Sequence, residues 1–439
     1  MTRKRIFFVL LFITLVLFSV RLGFSETKKK NSDALYKQVE IFSNTLAIIQ
    51  QEYVSETKTK DLIYGALKGM LASLDAHSQF MDPETYEELK VDTQGKFGGL
   101  GIEITIKDGI LTVITPIQDT PAWKAGIKTN DHIVKINGAL TRQMTLSDAV
   151  KIMRGKPGGI VNLTILRDTE RKLLDFKIAR EIIKISDIKY ARILEDGIGY
   201  IRISEFRENT FVELNNVLSA LSKQRMQALI IDLRNNPGGL LDVAIKVTGK
   251  FLGPNKLIAY TKGRLSKNAA LLANKQNDQN LEFFSEANNK ANLQLPLAVL
   301  INEGSASGSE IVAGALQDYK RAIIIGKKSF GKGSVQTVIP LGDGSALRLT
   351  TSHYFTPSGK IIHGNGVTPD ILVEENKILD IKTDPVINKN PDEIFDQIQS
   401  NQQANKTDKD NFNYKADTQL MRAVDALKVI QIYKQVKEL

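Results

Sequence analysis

The stretch Pro296-Leu-Ala-Val-Leu-Ile-Asn-Glu-Gly-Ser-Ala-Ser-Gly-Ser-Glu-Ile-Val-Ala-Gly-Ala-Leu-Gln-Asp-Tyr319 decides the fold. Pro296 to Ile301 is an apolar run of strand length, and from Glu310 to Tyr319 the apolar residues Ile311, Val312, Ala315, Leu316 and Tyr319 recur at helical spacing. The turn between them is built of small residues, with serines at 305, 307 and 309. In an open α/β sheet such a turn lies at the carboxyl edge, and its amides sit at the positive end of the following helix. A serine there meets a substrate carbonyl while neighbouring N–H groups receive the developing oxyanion.

A second unit of the same kind precedes it: Ala228 to Leu233 runs as a strand into Arg234-Asn-Asn-Pro-Gly-Gly239 and then a helix through Leu252. If the two strands are parallel neighbours, Gly238, Gly239 and Ser307 emerge at one edge. A serine nucleophile needs a base. None of the four histidines (His77, His132, His353, His363) falls in this segment, whereas Lys332 stands between Gly331 and Gly333 in a loop able to fold tightly. Burial there depresses a lysine pKa towards neutrality. Within the same stretch Ser329-Phe-Gly-Lys332 forms an S-x-x-K pattern that offers a different nucleophile, although that pattern needs a helix and the flanking glycines oppose one.

Taken together, Gly304-Ser-Ala-Ser-Gly-Ser-Glu310, Gln317-Asp-Tyr319 and Ser329-Phe-Gly-Lys-Gly-Ser-Val-Gln336 resemble the signature of the C-terminal processing (tail-specific) serine peptidases. The resemblance implies a crotonase-like α/β core within an α+β multidomain chain. It assigns Ser307 as nucleophile, Lys332 as base and Gln336 as the amide that orients the lysine. It places the oxyanion hole at Gly238, Gly239 and Gly308, where an alanine is commoner at the last position. Glu310 and Asp318 match acidic positions sensitive in that family. No cofactor and no metal is implied.

Lys96 to Arg167 reads as a separate module, with strand-like runs at 101–106, 110–115, 132–136 and 161–166 and a helix at 146–153. Gly98-Gly-Leu-Gly-Ile102 and Pro121-Ala-Trp-Lys-Ala-Gly126, followed by Asn130-Asp-His-Ile-Val-Lys-Ile-Asn-Gly138, resemble a PDZ domain. In such a module Gly98, Gly99, Leu100, Gly101 and Ile102 present amides to a peptide carboxylate and a strand edge to its backbone.

The chain opens with Arg3, Lys4 and Arg5, an apolar run from Ile6 to Val20, and small residues Gly23 and Ser25, the pattern of an export signal that is either cleaved or kept as an inner-membrane anchor. Residues 26–93 are helical in pattern, and amphipathic helices at either end offer surfaces for a second copy or an adaptor. Lys262 to Asn292 reads as a loop followed by a surface helix, 386–414 as a polar linker, and Asp417 to Val436 as a docking helix with Leu420, Val424, Leu427 and Ile430 along one face. The domains are therefore 1–25 signal or anchor, 26–93 helical, 94–178 PDZ, 179–376 peptidase, and 377–439 linker and final helix.

With no cysteine among 439 residues, disulfides and thiolate metal sites are excluded. A net charge of +10 is spread through every segment without a basic stripe interleaved with aromatics, which argues against nucleic-acid binding. The expectation is an exported serine endopeptidase of the periplasm or cell envelope, acting on proteins with accessible C-termini. Its rivals are a catalytically inactive PDZ scaffold and a Ser329-centred hydrolase of cell-wall acyl groups.

Overall fold

The computed structural model describes residues 35–107, 109–167, 172–263, 281–286, 294–375 and 414–438, so the export segment and the polar linker lie outside the described residues. Two compact units divide the chain, one of residues up to Asp82 with Ile339–Leu349, the other of Pro83–Val338 with Thr350 onward.

In the first unit, helices over 35–52 and Thr59–Ala72 lead to a short strand, Gln79–Met81. That strand pairs antiparallel with the start of the strand Ala346–Phe355, Phe80 opposite Leu347. The Tyr64 hydroxyl donates to Asp343 at 2.7 Å, and its ring meets Phe80 edge-on at 4.8 Å.

The second unit holds the peptidase-like sheet. From Ile198–Ile203 through Ala228–Asp232, Leu297–Ile301 and Ile323–Gly326 to Ile371–Leu372 the strands run parallel, and Ile188–Ile193 closes one side antiparallel. Both faces are covered, which is why the central strands read as unbroken apolar runs rather than alternating ones. Ile201, Ile203, Leu229 and Ile231 turn to the face covered by the helices Thr210–Lys223, Leu241–Gly249 and Gly308–Asp318. Tyr200, Ala228, Ile230, Ala298 and Leu300 turn to the other, where Leu420, Ala423, Val424 and Leu427 of the helix Thr418–Glu438 cover them. Leu420, Val424 and Leu427 are fully buried, each contributing roughly 1.5–3 kcal/mol. Among the described residues no helix is long and apolar enough to cross a membrane.

The PDZ-like module is a sheet in the order Ile102–Lys107, Ile110–Pro116, His132–Ile136, Ile160–Arg167 and Lys172–Ala179, with the helix Leu146–Met153 capped by Thr145 and Asp148. It has its own core around Val113, Ile133, Val161 and Ile165. Arg167 fixes it internally by bonding both carboxylate oxygens of the buried Asp131 at 2.7 and 2.8 Å. The module joins the sheet through a two-stranded neck in which Lys96–Gly99 pairs with Glu181–Lys184.

Two expectations need correction. Glu282–Phe284 is a strand paired with Leu257–Gly263, not part of a surface helix, because its backbone completes a sheet edge. Gly98 and Gly99 are not free loop residues. They ladder with Ile182 and Glu181, and the Gly98 carbonyl accepts from Gly155 N–H at 3.0 Å, so they belong to the neck strand that leads into Leu100, Gly101 and Ile102 at the start of the edge strand.

Candidate active site

Parallel pairing of Ala228–Asp232 with Leu297–Ile301 brings their two outgoing turns side by side. Asn302 Oδ1 accepts from Asn235 N–H at 2.9 Å, and Ser305 Oγ donates to the Leu233 carbonyl at 2.8 Å. Ser309 Oγ and Ala306 N–H both donate to the Asn236 carbonyl. Buried Asn236 reaches Ile203 O through its amide and accepts from Gly238 N–H at 2.8 Å. The turns are thus one welded block.

Ser307 stands at the helix start with φ 53° and ψ −114°, a conformation L-residues disfavour and one found at strained functional turns. Its neighbour across the block is Gly238, at φ 105°, where a Cβ would lie 2.6 Å from the Ser307 Cβ. Gly239 has φ 136°, and a Cβ there would lie 2.2 Å from the Phe206 carbonyl. Only glycine serves at either position.

The lysine loop reaches this block through one carboxylate. Glu310 is fully buried in the first turn of the nucleophile helix. One of its oxygens accepts from Ser307 N–H at 2.9 Å and Lys332 N–H at 2.8 Å; the other accepts from Ser329 Oγ at 2.5 Å and Gly331 N–H at 2.7 Å. Burial pushes this carboxyl above the usual range, against the pull of those four donors. Phe330 N–H adds a bond to the Ser305 carbonyl at 3.0 Å. The Tyr354 hydroxyl donates to the Lys332 carbonyl, and the Ser307 side chain lies within its electrostatic reach; burial keeps that phenol protonated well above its ordinary pKa. The backbones of Ser307 and Lys332 are in this way held to a shared acceptor.

Of the other expected residues, Gln336 on the strand Ser334–Pro340 donates to Ser334 Oγ at 2.8 Å. Asp318 ends the helix Gly308–Asp318 and binds Ser358 N–H at 2.9 Å and Lys360 Nζ at 3.0 Å. Burial alone would raise its pKa, and the donors from Thr356, Ser358 and Lys360 outweigh it and lower the value. Asp318 therefore fastens a loop rather than facing Ser307. Ser329 donates to Glu310, accepts from Val367 N–H at 2.6 Å, and lies in an extended loop, not a helix. Its proton goes to Glu310 and the segment is not helical, so the helical S-x-x-K arrangement is not formed.

Sequence reasoning did not find Tyr354, nor the clamp formed by Arg234. That guanidinium bonds both oxygens of buried Asp232 at 3.0 and 2.7 Å and both oxygens of Asp417 at 3.0 and 2.7 Å. The only signal for the clamp was the position of Arg234 at the strand's end, beside the glycine turn.

Three family descriptions match the chain: "Peptidase family S41" over residues 197–373, "PDZ domain" over 98–178, and "Activating protease CtpB N-terminal domain" over 20–85. The carboxy-terminal-processing protease of Bartonella bacilliformis is 45% identical over 380 residues, covering 85% of this chain and 83% of its own. The chain belongs to peptidase family S41. Other members of the family are similar in extent. The carboxyl-terminal-processing protease of Synechocystis is 36% identical and covers 75% of both chains; the carboxy-terminal processing protease CtpB of Bacillus subtilis is 34% identical, covering 79% of this chain and 69% of its own. This S41 peptidase is a serine-type, PDZ-bearing enzyme of mixed α/β fold whose substrates are proteins.

Proposed function

We infer that this peptidase is an exported endopeptidase that cleaves proteins near their C-termini with a Ser307–Lys332 dyad. The observation that carries the reading is the Glu310 carboxylate, which gathers the backbone N–H groups of Ser307, Gly331 and Lys332 on one group. A neutral Lys332 takes the proton of Ser307 as Oγ adds to the scissile carbonyl. The oxyanion is received by Gly308 N–H with an amide of the Gly238–Gly239 turn; Gly238 N–H is held by Asn236, which favours Gly239. Lys332 then protonates the leaving amine, and a water activated by the same lysine releases the acyl group. The PDZ module presents substrate tails through Leu100–Ile102, and the basic, apolar N-terminal segment directs the body of the enzyme to the cell envelope.

The test is incubation of the purified enzyme with unstructured proteins that differ only at their C-termini, read by intact mass. Ser307→Ala and Lys332→Ala are expected to lose activity by about 1000-fold or more while keeping wild-type circular dichroism. Equal cleavage of free-acid and amidated substrates at subsaturating concentration overturns tail recognition; an active Ser307→Ala enzyme overturns the dyad.

A further inference from the structure

The PDZ neck and the oxyanion turn share one fastening. At the base of the neck Ile185 N–H donates to the Gly95 carbonyl at 2.9 Å, closing the entering and leaving chains together. Directly beneath stands Arg207, whose side chain is only 16% exposed. Its Nε donates to the Asp92 carbonyl at 2.9 Å, on the chain entering the module, and one terminal nitrogen pairs with Asp187, on the chain leaving it. The other terminal nitrogen pairs with Glu205. Asp187 is fully buried; its second oxygen accepts from Thr210 Oγ1 at 2.6 Å, and its carbonyl accepts from Ser204 N–H at 2.8 Å. Thr210 Oγ1 in turn accepts from Arg207 N–H at 2.8 Å, so backbone and side chain are both fixed.

The preceding residue, Phe206, is a scaffold of the oxyanion turn. Its N–H donates to the Gly238 carbonyl at 2.8 Å and its carbonyl accepts from Leu240 N–H at 2.7 Å, framing Gly239 in a parallel bridge. Its ring lies beside the first residue of the nucleophile helix, 3.2 Å from where a Cβ on Gly308 would stand. One peptide bond therefore separates the guanidinium that grips both neck chains from the backbone that sets the Gly239 amide. A planar fork with five donors suits this task, since it holds three oxygens in a fixed relation where a lysine ammonium does not.

We propose that Arg207 is a positioning residue for the S41 reaction, holding the Gly238–Leu240 turn through Phe206 and tying its geometry to the orientation of the PDZ neck. Substrate seated in the module then acts on the oxyanion turn through this fastening and not only by raising the local concentration of the tail. The inference rests on the Ser307 reading, and the two fail in different assays.

The experiment uses the full-length enzyme, a short amidated fluorogenic peptide as reporter of turnover, and a labelled eight-residue peptide ending in valine with a free carboxylate as occupant of the module. Arg207→Met is expected to lower kcat for the reporter about tenfold or more with KM within twofold, and Arg207→Lys to recover part of that loss. The labelled peptide is expected to bind wild type and Arg207→Met equally, measured by anisotropy on a Ser307→Ala background, while changing reporter kcat only in wild type. If Arg207→Met does not fold by circular dichroism, Arg207→Lys and Glu205→Gln decide by the same kcat and peptide response. A folded variant with wild-type kcat, or one whose kcat still responds to the peptide, overturns the proposal. So does a peptide that binds wild type without altering kcat. Reporter hydrolysis that survives Ser307→Ala overturns the dyad reading instead.

Discussion

Replacing Glu310 by glutamine tests the junction on which the dyad reading depends. Glutamine has the same length but one acceptor oxygen, and its amide nitrogen must take the place of an oxygen that now receives two donors. Placed towards Ser307 and Lys332, the NH2 faces two backbone N–H groups with nothing to offer them. Placed the other way it faces Gly331 N–H, and Ser329 must reorient while still accepting from Val367. The second arrangement is the milder, leaving one buried N–H without an acceptor and weakening charge-assisted bonds at the rest. An orphaned buried donor costs roughly 1–3 kcal/mol and the loss of ionic character adds to it, for a total of about 2–4 kcal/mol. For a catalytic domain of this size that lowers Tm by roughly 5–12 °C. If about half of it falls on the approach of Lys332 to Ser307, kcat falls roughly 5- to 30-fold at unchanged KM, since 1.4 kcal/mol is about one decade. Differential scanning calorimetry and steady-state hydrolysis of a short peptide read the two effects. A Glu310→Gln enzyme with wild-type Tm and wild-type kcat would refute the claim that this carboxylate joins the loops.

Gly238→Ala is expected to reduce peptide hydrolysis at least 100-fold, because the new methyl group would lie 2.6 Å from the Ser307 Cβ at a backbone φ of 105°; an active, folded variant would show that the turn has room to shift. Asp417→Ala leaves Arg234 with Asp232 and the Gln419 amide oxygen, and since Asp417 is one-third exposed the loss is about 1–2 kcal/mol; limited proteolysis should then release the final helix faster than in wild type, and an unchanged digestion pattern counts against the clamp. Asp318 has a folded pKa below its ordinary value, so its contribution to stability is complete above that ordinary value, near 3.8, and is lost as pH falls through the folded one. Asp318→Asn should therefore destabilise the enzyme at pH 7 and differ progressively less from wild type below about pH 4; a constant difference in urea midpoints across that range contradicts the assignment.

The parts of this fold that could be read from the chain are those where one element declares its own environment. Ala228–Asp232 and Leu297–Ile301 are apolar at every position but Asp232 because helices cover both faces, and the final helix shows its seam as Leu420, Val424 and Leu427. Their two turns then had to meet, given parallel pairing. What could not be read are contacts between distant residues that leave no period behind them. Nothing local marks Arg207 as reaching both neck chains, or Ser329 as a structural hydroxyl rather than a nucleophile. Gly98 and Gly99 looked like loop residues because glycine advertises freedom without saying what uses it; here a neighbouring strand does. The strand Glu282–Phe284 is three residues long with one partly covered side chain, too little for alternation to register.

The Arg234 clamp also sets a clock. Asp417 lies 183 residues after the arginine it secures, so on a ribosome adding about 5–20 residues per second the turn bearing Gly238 waits roughly 10–40 s for its last support. The serine, the lysine loop and the glycine turn are all made before that, yet the sheet face under Tyr200 and Leu300 stays uncovered until the final helix arrives. Activity is therefore expected to wait for the final helix, although Ser307, Lys332 and Gly238 all precede it. A released chain truncated after residue 413 should be inert towards a short peptide, and the released chain extended through residue 438 should be active.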